Sequence, residues 1–406
     1  MAVMNSTGPI SLAGATAGQS IEIAVSNTSS GTISLNDYKV RNLAGVSSGT
    51  IAMPTNFYGK AYALPFNGFG SATPFPSAWS GYTLNGLAVN SSGTYVAVLD
   101  KFNVSPPSVS TSTDGVTWGT VTAMGSATSV MIMGAIAPTA AGGFVSVGFN
   151  FSSNLPLFSY SSNGTTWATP AVMGGTTQIS NPVAVVCGTT GTTCVAVGNN
   201  ISSSTGLPTD PVVYYSTNSG STWSGPTILG SAGSGITMTG VSVNSSGLFV
   251  AVGYGSSYQP YYATSTNGTT WSAFSTMGGS TSNYRINAIA VNPSGLFVAV
   301  GVSNYGSSPN YPIYATSSNG TTWSVPTTIG STTGLGLGSI ACNVGGTFVA
   351  AGNSQASSAI YTSSIDGSTW VTPTAISGST SNIPLIVSNS SGTFTAANST
   401  AFYTSN

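Results

Sequence analysis

The sequence predicts an all-β chain: a seven-bladed β-propeller of four-stranded antiparallel blades, closed by its N- and C-terminal strands and preceded by a small mixed N-terminal module. Three observations predict it. A short box ending in Trp recurs six times along the 406 residues. Paired apolar runs joined by a tight turn precede the boxes. The chain stops partway through one unit, and a piece that could complete it lies near residue 75.

The boxes read STDGVTW (112–118), SSNGTTW (161–167), STNSGSTW (216–223), STNGTTW (265–271), SSNGTTW (317–323) and SIDGSTW (364–370). A repeat near 50 residues is the signature of a stacked or radial architecture. Each box suits a hairpin turn. The Asp or Asn (Asp114, Asn163, Asn218, Asn267, Asn319, Asp366) can accept backbone N–H groups, and the following Gly can take positive φ. The Trp (Trp118, Trp167, Trp223, Trp271, Trp323, Trp370) then packs between blades.

The paired runs include GLAVNSSGTYVAVL (86–99), GVSVNSSGLFVAVG (240–253), AIAVNPSGLFVAVG (288–301) and SIACNVGGTFVAAG (339–352). Each predicts strand, turn, strand, with Asn and Gly offering positive φ at the turn. A third strand leads into the box and a fourth follows it, which makes one propeller blade.

Closure is predicted from the ends. AFYTSN (401–406) matches a third strand and half a box, with no Trp after it. Trp79, in ATPFPSAWSGY, has no box before it. Residues near 72–82 are therefore expected to supply the last blade's fourth strand, so that seven Trp serve seven blades. Closure also removes free sheet edges.

Residues 1–66 differ in composition and form a separate module, with the propeller at 67–406. They hold Glu22, Asp37, Lys39, Arg41 and Lys60, five of the chain's eleven charges. GPISLAGATAGQSIEIAV suggests a strand pair, and SLNDYKVRNLAG a short helix stopped by Gly45. AYALPFNGFGS (61–71) suggests a linker.

The boxes resemble the Asp-box of sialidase-type (BNR-repeat) propellers, S-x-D-x-G-x-T-W. Only 216–223 has that full spacing, and four of the six carry Asn in place of Asp. The N-terminal residues Gly8–Ile23, Ile33–Asp37, Val40–Arg41, Leu43–Val46 and Ser48–Lys60 resemble a module of tail-fibre and other structural proteins of tailed, especially marine, phages. That resemblance implies attachment to other virion proteins through residues 1–66. A small domain capping the propeller is the plainer alternative.

Composition removes several chemistries. There is no His, so a Ser–His–Asp triad and imidazole metal ligands are absent. Five Lys+Arg cannot form a nucleic-acid-binding stripe. Charged residues are 3% of the chain, against about 25% in ordinary soluble proteins. No apolar run is long enough for membrane insertion. MAVMNSTGPISL lacks the features of a secretory signal, so release within a virion, or leaderless secretion, is expected. Cys187 and Cys194 flank GTTGTT, a spacing that allows a cross-hairpin disulfide. Cys342 stands where the parallel unit has Val291 and reads as a small hydrophobe.

The sialidase likeness implies an arginine triad, a Tyr with a Glu partner, and an acid/base Asp. The propeller has one arginine, Arg285, and no Glu. Asp100 and Asp210 are the propeller's only carboxylates outside boxes, and Asp100 could pair with Lys101 at the surface. No catalytic residue, cofactor or metal is expected. Binding is expected on the loops between second and third strands, where Tyr254, Tyr258, Tyr261, Tyr305 and Tyr311 lie among Asn, Ser and Gln. Tyr284 and Arg285 join them from a between-blade loop. Aromatic platforms with amides suit neutral glycans.

The sequence therefore reads as a virion structural protein that displays a host-surface, glycan-binding face and is present in several copies. An architectural protein packing on copies of itself is the second reading, and a glycan-degrading enzyme the third.

Overall fold

The computed structural model describes residues 66–101, 106–127, 131–280, 283–305, 309–354, 358–377, 379 and 381–405. The predicted N-terminal strands and helix, with the phage-like stretch, lie outside the described residues.

Seven four-stranded antiparallel sheets stand around one axis. Blades one to six are continuous in sequence, beginning at Thr83, Met131, Ser180, Thr237, Tyr284 and Leu335. Blade seven runs Leu385–Ser388, Phe394–Ala397 and Ala401–Thr404, and its fourth strand is β1 (Thr73–Pro74), paired Thr73 to Phe402 and Pro74 to Ala401. The two ends thus close the ring. The fourth strands are short, only two residues in most blades.

The boxes fold as turns. In the first, Asp114 accepts the N–H groups of Val116 (2.8 Å) and Thr117 (2.7 Å), and Ser112 Oγ accepts that of Gly115 (2.9 Å). Gly115 sits at φ +75°. Asn163, Asn267 and Asn319 take the same place as Asp114, with N–H contacts of 2.8–3.0 Å. An amide oxygen serves as well as a carboxylate, which explains why either residue fits. In the eight-residue box the extra Ser219 also takes positive φ, and Asn218 still caps Thr222 at 2.9 Å.

The Asn of the first hairpin plays a different part from the one expected. It does not supply positive φ. In blade one Asn90 Oδ1 accepts the N–H of Thr94 (2.9 Å), while Gly93 alone takes positive φ.

The core lies between blades. Each box Trp packs on the third strand of the preceding blade, as Trp223 does on Phe158, Trp323 on Tyr262 and Trp370 on Tyr314. In the second to sixth boxes the indole N–H donates within the box, for example Trp167 Nε1 to Gly164 O at 2.8 Å, whereas Trp118 Nε1 is buried with no partner among the described residues. The third-strand Tyr closes the joint from the other side: Tyr314 OH donates to Ser368 O (2.7 Å) and Tyr262 OH to Thr321 O.

Trp79 corrects the seven-for-seven expectation. It lies after the fourth strand of blade seven, between blades seven and one, against Trp118 (5.3 Å) and Phe402 (5.6 Å). The Trp place between blades six and seven is filled by Phe69, four residues before its strand, as each Trp is in blades one, two, four, five and six. Phe66 and Phe69 pack on Tyr361, so the described end of the expected linker is part of the ring.

The first strand of each of blades one to six carries a bulge at one register, such as between Ile286 and Ala288. The bulge drives a carbonyl onto the second strand. A Cβ on Gly301 would stand 1.9 Å from Arg285 O, and one on Gly352 1.9 Å from Gly336 O. Close approach, not turn geometry, therefore requires the last Gly of VAVG and VAAG.

Candidate binding face

The loops between second and third strands and the starts of the first strands share the face opposite the boxes. Arg285 is the second residue of blade five's first strand, Tyr284–Val291. Tyr254 ends blade four's second strand, and Tyr258 and Tyr305 sit in the next loops of blades four and five. The structure gathers these four. Arg285 Cζ lies 4.2 Å from the Tyr305 ring centroid and 4.9 Å from that of Tyr254. Tyr258 packs on Tyr254 at 5.7 Å and on Tyr305 edge-on at 5.1 Å.

Strained backbone holds the group. Tyr258, Asn283 and Asn304 have φ of +55°, +69° and +52°. Side-chain residues rarely adopt this region, at a cost of about 1–3 kcal/mol each. A backbone chain fixes them: Tyr284 N–H donates to Tyr258 O (2.8 Å) and Asn304 N–H to Asn283 O (2.8 Å).

Tyr254, Arg285 and Tyr305 line a cavity of about 600 Å³ at the channel mouth. Its other walls include Thr239, Asn287, Asn310, Asn353 and Asn382. These polar residues escaped sequence reasoning because they come from blades four to seven and share no motif. Thr239 and Asn287 could have been found as bulge residues. Asn287 Nδ2 donates to Leu337 O at 2.7 Å, which ties blade five to blade six. Below, the channel is apolar, with Leu87, Ile136, Val185, Val241, Ile289 and Ile386 facing it.

The other predicted residues lie elsewhere. Tyr284 and Tyr311 line a separate cavity of about 600 Å³ with Ser280 and Asn283. Tyr261 packs between blades against Phe274, its hydroxyl on Gln259 Oε1 (3.0 Å). It is a packing residue.

The carboxylates are dispersed. Asp100 does not form the surface pair expected with Lys101. It is buried and accepts from Asn85 Nδ2. Burial pushes its carboxyl up, and the Asn85 bond partly offsets this. Lys101 instead lies 5.8 Å from the Tyr82 ring. Asp210 accepts the N–H of Gly233, two blades away from Asp100. Among the described residues no group of three His, Cys, Asp or Glu is placed to hold a metal.

Cys187 and Cys194 are disulfide-bonded, pairing across the first hairpin of blade three. Cys342 is half-buried at the lower end of the channel, and burial pushes its thiol up.

No protein-family model matches this sequence, and no curated protein does. Solved structures match the fold. YCF48 bound to D1 peptide is 16% identical with a TM-score of 0.57, over 84% of this chain and 96% of that one. BP39L lectin from Burkholderia pseudomallei is 13% identical with a TM-score of 0.55, over 78% and 93%. The GH74 xyloglucanase from Xanthomonas campestris is 11% identical with a TM-score of 0.55, over 83% and 53%. A peptide binder, a lectin and a glycosidase share this architecture, so the fold is compatible with carbohydrate binding but does not choose among these functions.

Proposed function

We propose that the propeller is a glycan-binding module that works without turnover, its site being the Tyr254–Tyr258–Arg285–Tyr305 group. One observation carries this reading: Tyr254 and Tyr305 line a cavity of about 600 Å³ whose walls also carry asparagines, and Tyr258 packs on both rings. Sugar rings stack on aromatic faces, and amides bond their hydroxyls. Tyr305 is 41% exposed, which leaves ring surface for a ligand. The scattered carboxylates favour binding over hydrolysis, which needs two at a fixed separation.

We further propose that residues 1–66 attach the chain to a virion and the propeller faces a host surface. The polarity of the ring supports this. Phe66 packs on Phe394 at the box end of blade seven, so the chain enters on the face opposite the cavity. A chain tethered through its N-terminus would present the tyrosines outward.

Glycan-array binding of the intact chain, followed by titration of Tyr305→Ala, tests the first reading. Binding lost in the variant is expected; an array with no signal would reject it. Particles assembled with a chain lacking residues 1–65, which keeps Phe66 in the ring, test the second, and normal incorporation would reject it.

A further inference from the structure

We infer that the glycan recognised at this site is acidic, its carboxylate held by Arg285. The inference rests on the glycan-binding reading and deepens it.

Arg285 is half-buried in the cavity wall, and its Nε is buried without a hydrogen-bond partner among the described residues. Two tyrosine rings hold the guanidinium, at 4.2 and 4.9 Å. Ring faces stabilise a cation but do not replace a carboxylate as acceptor for its N–H fork. No described carboxylate is available. Asp114 and Asp366 are bound in boxes on the opposite face, Asp100 is tied to Asn85, and Asp210 to Gly233. The cavity thus presents a fixed cation without a counter-charge, which is costly unless a ligand supplies one. Asparagines around it supply donors and acceptors for hydroxyls but no competing charge. A sugar carrying a carboxylate fits this set: the acid on Arg285, the ring on Tyr305 or Tyr258, the hydroxyls on amides. A phosphate-free, uncharged sugar would leave the guanidinium unpaired.

The test is calorimetric titration of the intact chain with a galacturonic acid oligomer and with its methyl ester, which keeps the skeleton and removes the charge. The acid is expected to bind about tenfold or more tighter than the ester, as for one charge-assisted pair. Arg285→Gln should abolish that ratio, and its circular dichroism should match the parent. Added salt should weaken only the acid. Equal binding of acid and ester would overturn the inference and leave the glycan reading standing. A preference that survives Arg285→Gln would overturn it as well. Failure of both saccharides to bind would overturn both readings. Equal affinity for a short peptide with a free C-terminal carboxylate would reject the sugar and retain only the anion.

Discussion

Phe69 stands on Tyr361 with ring centroids 5.5 Å apart and planes at 87°, where the preceding joint has Trp370 on Tyr314 at 5.9 Å. The substitution marks the seam of the ring. Two phenylalanines, Phe66 and Phe69, fill there the place that one indole fills elsewhere.

Phe69→Ala should therefore open the seam. The side chain is only partly buried, so the expected loss is about 2 kcal/mol, below the range for a full core Phe. Denaturant unfolding of the intact chain measures it. Phe69→Trp should recover most of the loss, because an indole suits this site at other joints.

Gly301→Ala should destabilise by about 3 kcal/mol, since the new Cβ would meet Arg285 O at 1.9 Å. The same shift would move Arg285, so glycan affinity should fall as well. Gly338→Ala is the contrast: open space surrounds its Cβ position, and a change within about 0.5 kcal/mol is expected.

Tyr305→Ala and Tyr261→Ala should separate binding from packing. The first removes an exposed ring and should cost about tenfold or more in affinity with little change in stability. The second removes a ring packed on Phe274 and should lower stability while leaving affinity near the parent value.

Acid should loosen the box turns. Partial burial raises the Asp114 carboxyl, but the Thr117 and Val116 N–H groups and the neighbouring hydroxyls outweigh it and bring its pKa to about 2 from 3.8. Asp366 shifts in the same direction for the same reasons. A pKa lowered by folding contributes stability that is present above the unfolded value and lost as pH falls through the folded one. Melting temperature should therefore drop between pH about 4 and about 2. The double variant Asp114→Asn, Asp366→Asn should flatten that drop, because Asn already serves in the other four boxes. An unchanged pH profile in the double variant would refute the assignment. Asp100, whose carboxyl is raised, acts with the opposite sign.

The sequence by itself determined the blade. The box turn is local: Ser112, Asp114 and Gly115 satisfy one another within a few residues, so their spacing reports their structure. Hairpins and ring closure were legible for the same reason, since strands pair with their sequence neighbours or, at the ends, by the one complementary match. Only the tertiary structure decided what meets across blades. It set Phe69 in the place expected of Trp79 and split seven candidate binding residues into a four-membered group around Arg285, a second cavity and a packing Tyr261. Those contacts depend on the rotation of one sheet against the next and on bulges that push single residues into the channel. Neither is written in local spacing, because side chains as distant in sequence as Tyr258 and Tyr305, or Phe69 and Tyr361, meet only once blade has packed on blade.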